Sequence, residues 1–479
     1  VRGPSLEHCD DGDDANGPFD LCSTDCTLSP ALAEALPADA STLRLQRELG
    51  HVRSFGVGPG GFAVAYEERI KTSPIPRVKL ARFRFPEPGM SPGPDGTDAD
   101  VFDVGAGTNP ADAPAPAVIG LADGSFVVAY TELNGDSDYL GVALRRVAPD
   151  GAFDDLKFAN ATVAFSQYSA DALALPGKRF IVAFEDDGAI GTAPDLRYRV
   201  FSERVEPETE QDQDLAATER AERNVRLAPF GGAWAAAWKA SEALESGLSA
   251  DIVQARTSAG ASWTLRVPDA PAVARPFHMG AASERPALAA VDGERLLVVT
   301  PVTQDQDEDG LADASQLMGC VLDVAQPGDV VASPLAVEAL LPGADVEPLF
   351  AGDVRLTALA PDRVVLAFAT RSAQNAGDVW LSFGRVEAGP GPLEFQRGGV
   401  AMHWVFSTPA PPSASAGADE GAQARLSVAY APAYFSQSPP HHVSGALILA
   451  WDDEGRLHGE AQAPRDVLMQ FVPRPLLDP

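Results

Sequence analysis

A short apolar segment recurs seven times along this chain, and that recurrence limits the possible folds more than any other feature. The copies run Gly61-Phe-Ala-Val-Ala-Tyr66, Ser125-Phe-Val-Val-Ala-Tyr130, Arg179-Phe-Ile-Val-Ala-Phe184 and Ala233-Trp-Ala-Ala-Ala-Trp238, then Arg295-Leu-Leu-Val-Val-Thr300, Arg363-Val-Val-Leu-Ala-Phe368 and Arg425-Leu-Ser-Val-Ala-Tyr430. Successive copies lie 54 to 68 residues apart. Self-similarity at such a period marks a repeat architecture in which no unit buries its apolar faces alone.

Each copy has similar neighbours. Shorter apolar runs end in tight-turn residues just before it: Ala117–Leu121 before Asp123-Gly124, Ala172–Leu175 before Pro176-Gly177, Ala287–Val291 before Asp292-Gly293, Leu356–Leu359 before Pro361-Asp362. Such dipeptides between apolar runs are hairpin signals. Third strands are expected at Arg77–Phe85, Gly141–Val147 and Asp378–Phe383, and a fourth at Trp263–Val267. The pattern predicts an all-β chain: a seven-bladed β-propeller of four-stranded antiparallel blades over residues 41–479. Residues 1–40 form a cysteine-rich segment and linker. Thr42–Arg47 and Asp466–Val472 are candidates to share one blade and close the ring. Ala31–Leu36 reads as a short helical turn, and residues 205–224 and 408–422 as loops.

The two ends of such blades are expected to differ. Turns between first and second strands are tight. Loops after the core strand read as about 8 to 15 residues, long enough to suggest a purpose. They begin acidic: Glu67-Glu68, Glu132 with Asp136 and Asp138, Glu185-Asp186-Asp187, Glu242 with Glu245. One face is thus expected to be plain and the other elaborated and electronegative.

With 68 acidic against 36 basic residues the formal charge is −32. That excludes nucleic acid as an expected partner, since phosphate binding needs clustered Lys and Arg. No apolar run is long enough to span a membrane as a helix.

One long loop carries metal chemistry: Asp305-Gln-Asp307-Glu-Asp309-Gly310-Leu311-Ala-Asp313. Alternating carboxylates around a sharp glycine turn, with the Leu311 carbonyl, present hard oxygens at the flexible geometry Ca²⁺ takes. Asp305, Asp307, Asp309, Leu311 and Asp313 are the expected ligands. Gln316 stands where an EF-hand loop has a bidentate Glu, so water or another residue must complete the shell. The loop is similar to those of dockerins and thrombospondin-type repeats. His441-His442 is a weaker metal candidate.

The four cysteines are Cys9, Cys22, Cys26 and Cys320. Three crowd into a polar N-terminal segment, which reads as a disulfide staple and an oxidising compartment. A zinc site is the competing reading, weakened by a single nearby histidine, His8. A bridge from Cys320 would pin the N-terminal segment to the body.

Cys9-Asp-Asp-Gly12 followed by Cys22-Ser-Thr-Asp-Cys26-Thr27 resembles the end of the cysteine-rich repeat of myxobacterial secreted and surface proteins. Asp13 and Leu21 depart from that pattern, and no upstream cysteine is present. The resemblance implies an exported protein, secreted or on the outer surface of a bacterium. Asp251–Arg256 with Gly260, Ser262 and Trp263 resembles a degenerate Asp-box of sialidase-type blades, with Ser258 and Arg256 in the Asp and Ser places.

No GxSxG elbow, HExxH or phosphate loop occurs. The expected function is therefore non-catalytic: a secreted or surface protein whose long-loop face binds a protein or surface glycan, or assembles with copies of itself. The alternative is a secreted polysaccharide hydrolase or lyase with acid residues at the central mouth. A scaffold domain released from a larger exported protein is a third reading.

Overall fold

The computed structural model describes residues 33–34, 51–58, 61–68, 76–84, 100–106, 116–133, 139–188, 194–243, 249–266, 285–304, 314–335, 349–360, 363–371, 378–385, 404–406, 423–431, 434–437, 440–443, 446–453 and 466–473. Among these there is no helix, and seven sheets of four or five strands account for nearly every strand. Sheet one is His51–Gly58, Gly61–Glu68, Arg77–Arg84 and Asp100–Ala106; sheet two is Ala117–Gly120, Phe126–Leu133, Leu140–Val147 and Lys157–Phe158. Sheet three is Gln167–Leu175, Arg179–Asp186, Asp195–Ser202 and Gln213–Ala216. Sheet four is Glu222–Phe230, Ala233–Ala243, Ser249–Thr257 and Ser262–Arg266, extended by Gly328–Val331, which pairs in parallel. Sheet five is Ala287–Ala290, Arg295–Gln304, Ala314–Asp323 and Ser333–Pro334; sheet six is Leu349–Ala360, Arg363–Arg371, Asp378–Arg385 and Trp404–Phe406. Sheet seven is Gln423–Ala431, Ala446–Asp453, Asp466–Pro473 and Ala33–Glu34.

The first strand of each sheet contacts the first strand of the next, and that of sheet seven contacts that of sheet one. The first strands therefore form an inner ring, which is the β-propeller arrangement.

Packing explains the recurring segment. In the second to sixth copies, the second and fourth residues, and the sixth where it is apolar, face the preceding sheet, while in the first to fifth the third and fifth residues face the following one. Phe126, Val128 and Tyr130 of sheet two thus pack with Ala63 and Ala65 of sheet one. Phe180, Val182 and Phe184 pack with Val127 and Ala129, and Trp234, Ala236 and Trp238 with Ile181 and Ala183. Large residues on one strand fill the space left by small ones on its neighbour, as close packing requires. The alanines at the fifth position of the first three copies, Ala65, Ala129 and Ala183, make room for the next sheet's aromatics. Arginines on third strands reinforce these contacts by donating to carbonyls of adjacent sheets: Arg82 to Ala148 and Pro149, Arg199 to Ala159, Arg256 to Leu215.

Several expectations need correction. The seventh copy, Arg425–Tyr430, lies in the first strand of its sheet rather than the second. Its apolar pattern suits either place, because both strands are covered on both faces. Ala33–Glu34, read as helical, pairs with Met469 and Leu468 of Asp466–Pro473. Both chain ends therefore meet in one sheet, as expected, but through Ala33–Glu34; Thr42–Arg47 lies outside the described residues. Residues 205–224 are not merely loop, since Gln213–Ala216 supplies a fourth strand. His441 and His442 sit in a hairpin, Tyr434–Gln437 with Pro440–Val443.

Gly105 illustrates how tightly sheets one and two meet. A Cβ there would run into the Tyr130 hydroxyl. That hydroxyl is buried with no hydrogen-bond partner, and burial raises its pKa far above the usual phenol range. Gly105→Ala is expected to destabilise by about 1–3 kcal/mol through overpacking. Tyr130→Phe should recover only part of that loss, because it removes the nearest colliding atom and sacrifices no bond but leaves the ring carbon Cζ in the way. Urea denaturation of both single variants and the double variant measures this.

Candidate functional site

Of the acidic residues expected in loops, Glu67, Glu68, Glu132, Glu185, Asp186 and Glu242 are strand residues, Asp187 lies just past a strand, and Asp136, Asp138 and Glu245 lie outside the described residues. Gly61–Glu68 and Arg179–Asp186 continue past the apolar segment, so Glu67, Glu68, Glu185 and Asp186 are ladder residues and buried. The connections that follow, 134–138, 189–193 and 244–248, are largely outside the described residues. The residue just after the segment is polar and buried in four successive sheets: Glu67, Thr131, Glu185 and Lys239. Burying such groups demands partners.

The partners come from the inner strands. Gln167–Leu175 is bulged between Tyr168 and Asp171, and Glu222–Phe230 between Arg223 and Arg226. Inside the bulges, Ser169 (φ 60°) and Asn224 (φ 60°) adopt the left-handed conformation. L residues reach it at a cost, yet both serve one carboxyl. The Asn224 amide N–H donates to Glu185 Oε1 at 2.9 Å, and the Ser169 hydroxyl also bonds Glu185. Arg285, just before the first strand of sheet five, reaches past sheet four. Its Nη2 donates to Ser169 Oγ at 3.0 Å and its Nη1 to the Ala170 carbonyl at 3.4 Å. The Tyr168 hydroxyl donates to Asp187 Oδ1 at 2.7 Å.

Burial is the largest influence on Glu185 and pushes its pKa up, against the lowering effects of Ser169, Asn224, Arg223 and Arg285. Burial, helped by the Glu185 charge, also raises the Tyr168 phenol. The result is a carboxyl that keeps its proton above the usual carboxylate range and a neutral tyrosine beside a carboxylate. Two arginines stand close by. Glu185 is 2% exposed, whereas Arg223, Asn224 and Asp187 are half-buried and mark where the cluster meets solvent. Lower on the inner ring, Asp171 accepts the Leu227 amide at 2.7 Å and faces Arg226 at 3.4 Å. A second buried network joins Asn160, Gln167 and Asp186, with Gln167 Nε2 3.0 Å from Asp186 Oδ1.

The other expected site residues are elsewhere. Asp305, Asp307, Asp309, Leu311 and Asp313 lie outside the described residues, as do Cys9, Cys22 and Cys26. Cys320 is a free thiol on the third strand of sheet five. It packs with Val253, Ala255 and Val298 in the core between sheets four and five, and burial pushes its pKa up to about 12. The expected bridge from Cys320 involves cysteines outside the described residues; the thiol itself is 5% exposed. Gly260 (φ 95°) turns the chain between the third and fourth strands of sheet four, and Trp263 Nε1 donates to the Gln326 carbonyl at 3.1 Å.

Reading the sequence picked out Glu185, Asp186 and Asp187 but missed Tyr168, Ser169, Arg223, Asn224 and Arg285. For Glu185 a further signal existed: alignment of the copies isolates the polar residue that follows each of the first four, Glu67, Thr131, Glu185 and Lys239.

No family model matches the chain, and no curated protein matches it. Solved structures do. A polysaccharide lyase, Uly1, is 8% identical over 92% of this chain and 97% of its own, with a TM-score of 0.45. The β-propeller domain of the Trilobed protease from Pyrococcus furiosus is 8% identical over 88% and 94%, with a TM-score of 0.41. An endo-arabinase from Bacteroides thetaiotaomicron is 11% identical over 75% and 99%, with a TM-score of 0.33. At these TM-scores the likenesses carry no argument about what the chain does.

Proposed function

We propose that this propeller acts on polysaccharide, as a hydrolase or a lyase, at the mouth built around Glu185. One observation carries the reading: two strained residues, from adjacent inner strands, converge on a single buried carboxyl. Backbone strain persists where surrounding structure enforces it, and it concentrates at functional sites. A carboxyl that keeps its proton suits a general acid, which delivers that proton to a leaving glycosidic oxygen. Asp187, bonded to Tyr168, supplies the second carboxylate. Arg223 and Arg285 bring positive charge to a protein of net charge −32, which favours a carboxylated chain over a neutral one.

The test is incubation with one neutral and one uronic-acid polysaccharide. New reducing ends support the reading, and an ultraviolet-absorbing unsaturated product distinguishes elimination from hydrolysis. A second reading is favoured by the burial of Glu185: the same face binds a protein, a surface glycan or another copy of the chain without chemistry. Binding with no cleavage of either polysaccharide would establish it.

The finer architecture belongs to the same proposal. The seven sheets are the seven blades of one ring, and the chain is exported. Cys9, Cys22 and Cys26 staple the N-terminal segment. Asp305, Asp307, Asp309, Asp313 and the Leu311 carbonyl bind Ca²⁺. Millimolar Ca²⁺ is expected to raise Tm by several degrees, because a ligand that binds only the native state stabilises it. Asp307→Asn with Asp309→Asn should abolish the shift in a thermal melt with and without chelator.

A further inference from the structure

We infer that Arg285 is a positioning residue which, through Ser169, sets the protonation state in which the mouth presents Glu185. The reasoning is one of hydrogen-bond inventory. A serine hydroxyl has one proton to give and two lone pairs to accept with. Arg285 Nη2 donates to Ser169 Oγ at 3.0 Å. An arginine is never an acceptor, so the Ser169 proton must go elsewhere, and Glu185 is its partner. Arg285 thereby occupies one Oγ lone pair and biases the Ser169 proton toward the carboxyl, which favours the anion. Without Arg285 that bias is lost, and the hydroxyl accepts more readily from a protonated Glu185.

The second Arg285 bond, to the Ala170 carbonyl, fixes the same bulge. That bulge is where Ser169 holds its left-handed backbone. Arg285 stands just before the first strand of sheet five and Ser169 is in sheet three, so the contact links two sheets that are not neighbours. The state of the carboxyl is thus tied to the spacing of inner strands that are not neighbours.

The groups around Glu185 are few enough to name. On its own strand Asp186 follows it, and Asp187 lies just beyond the strand end. Tyr168 lies opposite on the first strand of sheet three, and Leu196 opposite on the third, next to Arg197. Sheet four contributes Asn224 and Arg223, with Lys239 paired to Arg223. Arg223 also lowers the proton affinity of Glu185 by its charge; Arg285 acts by charge and by orienting Ser169.

The inference rests on Glu185 being the site's carboxyl, but its test does not need turnover. The carboxyl stretch of Glu185 is isolated by infrared difference against Glu185→Gln and titrated with pH in the full chain. Arg285→Ala is expected to raise the midpoint by about one pH unit or more, the size of a lost charged neighbour. Ser169→Ala should raise it too. Arg285→Lys keeps the charge but not the two-pronged grip, so a smaller rise is expected, and this variant serves if Arg285→Ala fails to fold. In the Ser169→Ala background, the Arg285→Ala effect should shrink by at least half. An unmoved midpoint in the Arg285 variants overturns the inference, as does an undiminished Arg285→Ala effect when Ser169 is absent. Failure to cleave any polysaccharide would remove the proposed function and leave this inference standing.

Discussion

Glu185→Gln is expected to lower turnover of the susceptible polysaccharide by at least about 100-fold, the usual contribution of a positioned general acid, while raising stability at neutral pH. The two effects have one cause. Burial raises the folded-state pKa of Glu185. A carboxyl with a raised pKa supports the native state while it is protonated. That support is complete below the unfolded carboxylate range and is lost as pH rises through the folded value. Above the unfolded carboxylate range the wild type therefore loses that support, a loss partly offset by Arg223, Arg285 and the donors Ser169 and Asn224, which favour the anion. Glutamine retains an acceptor for the Asn224 amide and has no charge to bury. The variant's advantage should disappear as pH falls below about 4, where both proteins are neutral at this position. Urea melts across pH, beside reducing-end assays, test both halves. A variant that is inactive and also less stable at neutral pH would assign Glu185 a structural role instead.

The fold was legible because its signal is periodic. Two-sided burial requires apolar residues at about five consecutive positions, and a ring of sheets repeats that requirement. Phe126, Phe180 and Trp234 are the same residue of the same segment, and each packs against the preceding sheet. The site was less legible for the opposite reason. Bulges are one-residue irregularities set by tertiary contacts, and nothing in Tyr168-Ser-Ala-Asp171 signals a left-handed serine. Arg285 is one arginine among many until the fold brings it to Ser169, 116 residues away in sequence. The acidic residues were found by type and misplaced by environment. Glu67 and Glu185 follow an apolar run, and polarity alone cannot distinguish a loop beginning there from a strand continuing with buried partners. The seventh copy was assigned the wrong strand because the pattern reports burial on both faces, not the order of strands within the sheet.

Truncation within the recurring segment should cost more than any surface change, and Phe180→Ala is the sharpest case. Phe180 has no solvent exposure and stacks on Phe201 with ring centroids 5.2 Å apart. It belongs to the core between sheets two and three with Val127, Ala129 and Leu144. Those neighbours are short or held in ladders on both sides, so the space left by the ring has little chance to collapse. The expected loss is about 3–5 kcal/mol, from lost transfer energy plus a residual cavity. Phe180→Leu should cost markedly less, since it keeps most of the volume. Because every sheet shares an interface with its neighbours, the loss should appear as one cooperative transition at lower denaturant with the same slope. Two separated transitions would mean that the sheets melt in groups, and that the contacts closing the inner ring between sheets seven and one are too weak to couple them.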